Sequence, residues 1–248
     1  NQHLMDLRLT STMGFNDNDL AFLQEQDGIE QLQPAYSTDA LLTGDGQAEM
    51  VTKVYSFSAD QNENGLNRLV LQEGRLPESS GECVIDSANM GSLQIGVTVT
   101  LSSGVEDTAI TDTLSRSEYT IVGTVLSPMY INFERGNSTL SDGTVDTFLY
   151  IPESDFSLEV YTDVYLTFTD ARGLSVFENA YSDFIEQKTD EYEELADIRT
   201  AKRLEEIKAE ASAELDDAKQ ELSDGEATQQ EELAKAREQL DDAKQDLA

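Results

Sequence analysis

The chain has 248 residues, with 50 Asp and Glu against 16 Lys and Arg, a formal net charge of −34. Such a surface repels phosphate backbones, which are held by cationic patches, so nucleic acid is excluded as a partner, and broad binding to anionic lipid is disfavoured. No stretch reaches the roughly 18–20 consecutive apolar residues that a membrane-spanning helix needs. The single cysteine, Cys83, has no intrachain disulfide partner, and the single histidine, His3, leaves little for a zinc site or a Ser-His-Asp triad.

The first strand is expected where Met5, Leu7 and Leu9 alternate with Asp6, Arg8 and Thr10. A short helix follows: Asn16-Asp17-Asn18-Asp19 offers a cap ahead of Leu20, Phe22 and Leu23, and Gly28 a stop. With a strand at Glu30–Tyr36, the chain opens β-α-β. Further strands are predicted at Glu49–Phe57, Glu82–Ile85, around Val97, Val99 and Leu101, at Tyr119–Val125, at Phe148–Ile151, and around Val164, Leu166 and Phe168. Many strands with few helices among them define an α+β body.

Composition changes near residue 173. All four prolines and fourteen of fifteen glycines precede the last 75 residues, whose only glycine is Gly225. From Gly173 the period becomes helical, with Leu174, Phe177, Tyr181, Phe184 and Ile185 as a stripe able to pack on the sheet. Beyond about Lys188 the stripe thins to Tyr192, Leu195, Ile198, Leu204 and Ile207, and the helix is expected to leave the body. This divides the chain into a core domain, 1–188, and an acidic coiled-coil extension, 189–248.

Heptad spacing marks the candidate partner-binding seam: Leu215, Ala218, Leu222, Leu233, Ala236, Leu240, Ala243 and Leu247. Two near-copies of Leu-Asp-Asp-Ala-Lys-Gln begin at Leu215 and Leu240, 25 residues apart. The 11 residues from Leu222 to Leu233 are a heptad plus four, which locally unwinds a supercoil. A continuous helix is favoured, and a reversal at Ser223-Asp224-Gly225-Glu226 is the other option. A narrow seam cannot hold a helix by itself, so a partner strand is needed. Because the sequence stops in mid-heptad with no capping signal, the expectation is that the chain continues, as one half of a helical hairpin.

Signatures of catalysis and cofactor binding are missing: no Gly-rich phosphate loop, paired-histidine zinc motif or Gly-x-Ser-x-Gly elbow occurs. No catalytic residue, cofactor or metal ligand is therefore assigned. Asp17-Asn18-Asp19 and Asp142–Asp146 resemble calcium loops only faintly and read as a cap and a turn. Cys83 reads as a small core residue, His3 as a solvated terminus, and Asn137-Ser138-Thr139 as a chance sequon.

In chain order, several stretches resemble the extracytoplasmic domain of FtsX-like/MacB-like ABC transporter permeases. They are Met5–Phe15 with Asn16–Leu20; Glu73-Gly74-Arg75-Leu76-Pro77 with Gly81-Glu82-Cys83-Val84-Ile85-Asp86; Leu93–Val99; and Tyr119–Val125. The resemblance covers roughly residues 4–185, and the acidic extension is similar to the coiled-coil insertion of Gram-positive members. It implies a MacB-like α+β core on the extracellular face of a cell membrane. It further implies a non-catalytic role, passing ATP-driven motion from a cytoplasmic ABC ATPase to an exported substrate or an outside partner. Candidate partners are a second permease copy and an extracellular protein such as a cell-wall hydrolase. The alternative is a free-standing surface coiled-coil adhesin or structural protein.

Overall fold

The computed structural model describes residues 3–44, 48–88, 91, 93–130, 134–176 and 178–246. Strand β1 (Leu7–Phe15) leads into helix α1 (Asp17–Gln24), β2 (Ile29–Ala35), β3 (Ser37–Thr43), β4 (Met50–Phe57) and the short helix α2 (Ala59–Asn64). Strands β5 (Val70–Gly74), β6 (Glu82–Asp86), β7 (Thr98–Ser102), β8 (Glu118–Leu126), β9 (Thr147–Pro152) and β10 (Tyr161–Phe168) follow, before helix α3 (Asn179–Asp246). The class is α+β, sheet-rich with one long helix at its C-terminal end.

Two sheets organise the first unit, Asn1–Thr189. In the larger, the order β8-β6-β9-β4-β3-β7 closes on itself because β7 also pairs with β8, and β5 lies against the second half of β8. The result is a mixed barrel, parallel at β4/β9 and β6/β8. Its filling follows the strand period of two. Ala40 and Leu42, Val54, Cys83 and Ile85, Val99 and Leu101, Tyr119 and Ile121, and Leu149 and Ile151 form one buried cluster. The neighbours of these residues, among them Tyr55, Val84, Phe148 and Tyr150, build a second apolar layer on the outside of the barrel.

The opening β-α-β forms as expected but is split. Strand β10 lies between β1 and β2, antiparallel to both, so β1 and β2 run parallel without touching. Helix α1 starts with a capping box: Asn16 Oδ1 accepts from Asp19 N–H and Asp19 Oδ2 from Asn16 N–H. Gly28, at φ +85°, supplies the left-handed residue of the turn into β2.

Three expectations change. The long helix starts at Asn179, not at Gly173, because Thr169–Gly173 forms a 3₁₀ turn first. Phe177 lies outside the described residues, while Phe184 meets Phe168 edge-on at 5.8 Å and Tyr181 donates to Asp6 Oδ1 at 3.0 Å. Strands β3 and β5 and helix α2 were not expected. Leu41 beside Leu42 hides the alternation of β3, and β5 is a five-residue strand with a single neighbour, β8. Finally, β10 is not half-buried: Asp163 and Tyr165 are enclosed on one face and Val164, Leu166 and Phe168 on the other.

The second unit, Asp190–Ala248, is described through residue 246 and is helical over that length. Ser223–Glu226 are helical, so the reversal does not form. Gly225 has no heavy atom within contact distance of a would-be Cβ and is simply a weak helix position.

Candidate functional site

Four arrangements stand out: a polar and aromatic layer between the small sheet and the barrel, a buried ion pair at the β8–β9 connection, the stapled turn between β5 and β6, and the exposed stripe of α3.

The first is centred on Asp163 of β10. Arg8 Nε donates to its Oδ1 at 2.6 Å, while Ser37 and Thr162 hydroxyls donate to Oδ2, each at 2.7 Å. Burial opposes the Arg8 charge, but Asp163 outweighs it and raises the guanidinium pKa further. Next to this pair Tyr55 and Tyr150 stack at 5.1 Å, the Tyr55 and Tyr130 hydroxyls share a hydrogen bond of 2.6 Å, and Tyr150 bonds Ser127 Oγ at 3.0 Å. Burial lifts the pKa of Tyr55, Tyr130, Tyr150 and Tyr165 above the ordinary phenol value, so all four stay protonated near neutral pH. A cavity of about 30 Å³ among Gln33, Tyr55, Asn67, Tyr150 and Tyr165 has room for a water or two. Each carboxylate oxygen of Asp163 is occupied by donors, which suits a fixed joint between the two sheets.

A second polar node anchors the β8–β9 connection. Asp86, at the end of β6, has a fully enclosed side chain, and that of Arg135 is 4% exposed. Arg135 Nε donates to Asp86 Oδ2 at 2.6 Å, Ala88 N–H donates to Asp86 Oδ1 at 2.9 Å, and the guanidinium lies 5.2 Å from the Tyr130 ring and 5.5 Å from that of Phe148.

The motif segments 73–77 and 81–86 have physical jobs here. Arg75 clamps Glu82 with its two terminal guanidinium nitrogens, the Nη1–Oε2 contact being 2.7 Å, while Glu82 Oε2 also accepts from the N–H groups of Glu78 and Ser79. Arg75 and those backbone donors hold the Glu82 carboxyl at about 2. Gly74 (φ +76°) passes so close to the Val122 carbonyl that a Cβ would lie 2.3 Å from it. Gly81 (φ +84°) donates its N–H to the enclosed Asp155 carboxylate at 2.9 Å. Cys83 points into the barrel, where burial pushes its thiol up to about 12. Asp142 accepts from Thr144 N–H and shapes the turn, while Asp146 accepts from Val51 N–H and ties the segment to β4.

The seam residues are not gathered into a packed cluster. Leu215, Leu222 and Leu233 are 57%, 66% and 58% exposed, and Ala218 and Ala236 are exposed beside them. Leu240 and Ala243 lie in α3, though their side chains, like all of Leu247, fall outside the described residues. Sequence reasoning passed over Arg8, Asp163 and Arg135, because isolated charged residues carry no spacing signal. Asp86 was visible only as the last residue of a motif.

The architecture is that of an α+β domain in which a closed mixed barrel carries a split β-α-β sheet. No protein-family model and no curated protein matches the chain. Among solved structures, it is similar to the extracellular domain of the noncanonic ABC-type transporter YknZ from Gram-positive bacteria: 13% identity, TM-score 0.40, over 65% of this chain and 78% of that one. It is similar as well to the periplasmic region of MacB from Actinobacillus actinomycetemcomitans (16%, TM-score 0.37, 72% and 75%). A domain of a putative permease protein from Porphyromonas gingivalis gives 14%, TM-score 0.36, and 68% and 65%. Among the described residues, no helix is long and apolar enough to cross a membrane.

Proposed function

We propose that this chain is the non-catalytic extracellular domain of an ABC transporter permease, in which residues 1–188 form the body and 189–248 a docking arm. The observation that carries the reading is the long helix itself. Over 68 residues, about 100 Å at roughly 1.5 Å per residue, α3 runs without a break and exposes Leu215, Leu222 and Leu233 on one stripe. Three large exposed side chains in register contribute nothing to a monomer and suit a contact surface. The ordered motifs between Met5 and Val125 supply the permease assignment, and in this chain they build its turns and strands. In this reading a cytoplasmic ATPase drives the domain through membrane helices, and the arm meets an exported substrate or an outside protein.

The test is to express the full permease with residues 190 onward removed and to measure transport or activation of the extracellular partner. Loss of either with intact membrane insertion is expected, and unchanged activity would reject the arm. A native gene without hydrophobic spans flanking this region would overturn the permease assignment and favour the adhesin.

A further inference from the structure

We propose that Asp6 and Tyr181 form the joint through which motion of the segment ahead of β1 reaches α3, a proposal that rests on the permease reading above and names the side chains that carry its transmission. Asp6 is half-buried and stands just before β1. Its carboxylate bridges two elements. Oδ2 accepts at 2.9 Å from the N–H of Phe168, the last residue of β10, and Oδ1 accepts at 3.0 Å from the hydroxyl of Tyr181, in the first turn of α3. The second of these bonds joins residues 175 apart in sequence. Burial, and after it Asp6, raises the Tyr181 pKa to about 12, so the phenol keeps the proton it donates.

Residues 169–178 separate β10 from α3, so the ladder hydrogen bonds of the small sheet stop short of the helix and side chains fasten its start. Three of them sit at helical spacing on one face: Tyr181 on Asp6, Phe184 edge-on against Phe168, and Lys188 with Nζ 5.3 Å from the Phe168 ring centre. Of these three, Phe184 and Lys188 bear on the sheet, and Tyr181 reaches the segment ahead of β1. That segment is itself held: Asp6 N–H donates to the Leu166 carbonyl at 2.8 Å, Met5 N–H to Asn67 Oδ1 at 3.0 Å, and Asn67 N–H to the His3 carbonyl at 2.8 Å. Coupling between distant parts of a protein is carried by contiguous hydrogen bonds and stiff secondary structure. Here the contiguous set is residues 3–6, the Asp6 carboxylate, Tyr181 and the helix that follows. In the permease reading a membrane helix drives the chain ahead of β1, which puts this one carboxylate between the driven segment and the start of α3.

The test uses two variants. Tyr181→Phe keeps the ring and removes the donor, whereas Asp6→Asn keeps the shape and both bonds, its carbonyl accepting from Phe168 N–H and its amide donating to the Tyr181 oxygen. In the 248-residue chain, amide exchange at residues 184–188 is expected to be about fivefold faster in Tyr181→Phe and unchanged in Asp6→Asn. In the full permease with its ATPase, adding a non-hydrolysable ATP analogue is expected to alter exchange at residues 4–15 and 184–188 in wild type and Asp6→Asn, but only at 4–15 in Tyr181→Phe. A contact that merely stabilises the helix start would speed exchange with and without nucleotide and leave the nucleotide-dependent difference intact. Equal exchange of Tyr181→Phe and wild type in the 248-residue chain overturns the joint. So does a nucleotide response at 184–188 that survives Tyr181→Phe, a result that leaves the permease reading standing. A wild-type complex with no nucleotide response in either segment overturns that reading and the joint together.

Discussion

Removing either member of the Asp86–Arg135 pair should destabilise the body far more than removing both. The two side chains are enclosed, joined at 2.6 Å, and braced by Ala88 N–H on one side and two aromatic rings on the other. Truncating one partner strands the other charge away from water, at about 3–5 kcal/mol, whereas an apolar replacement of both removes that penalty. Asp86→Ala and Arg135→Met are therefore expected to cost about 3–5 kcal/mol each and Asp86→Leu/Arg135→Met about 1–2, a large non-additivity. For a body of this size the single variants should melt roughly 10 °C lower. The chain has no tryptophan and nine tyrosines, of which α3 carries two, Tyr181 and Tyr192, so near-ultraviolet circular dichroism of the tyrosines reports mainly the unfolding of the body. Urea titrations followed this way give the cycle. Single variants within about 1 kcal/mol of wild type, or additive costs, would refute the burial argument.

Other perturbations test separate features. Gly123→Ala should cost about 1–3 kcal/mol, because a Cβ there would stand 2.4 Å from the Arg75 carbonyl and 2.8 Å from that of Glu73, both backbone atoms; thermal melting measures it. The Glu82 carboxyl sits at about 2, below its ordinary 4.5, so its contribution to stability is present above the unfolded value and is lost as pH falls toward 2. Glu82→Gln should accordingly flatten the decline of melting temperature between pH 4.5 and about 2, and an unchanged acid profile would count against the clamp. Gly225→Ala adds a methyl in open space to a helix interior and should slow amide exchange nearby by about fivefold, equivalent to roughly 1 kcal/mol.

Much of this molecule is legible in its sequence because strand and helix periods are local. The alternation at Val97–Leu101 and Tyr119–Ile121 marks β7 and the start of β8, the Asn16–Asp19 box marks the start of α1, and the disappearance of proline and nearly all glycine marks the entry to α3. Leu222 and Leu233 on one stripe follow from spacing alone. The tertiary structure decided what spacing cannot encode. Barrel closure needs β7 and β8 to meet across a connection with no sequence mark, and β10 enters between β1 and β2 from more than a hundred residues away. Placement of Asp163 and Asp86 was equally invisible: a carboxylate in a chain with 50 of them reads as solvated, and these two lie in the interior because a distant arginine, Arg8 or Arg135, neutralises each.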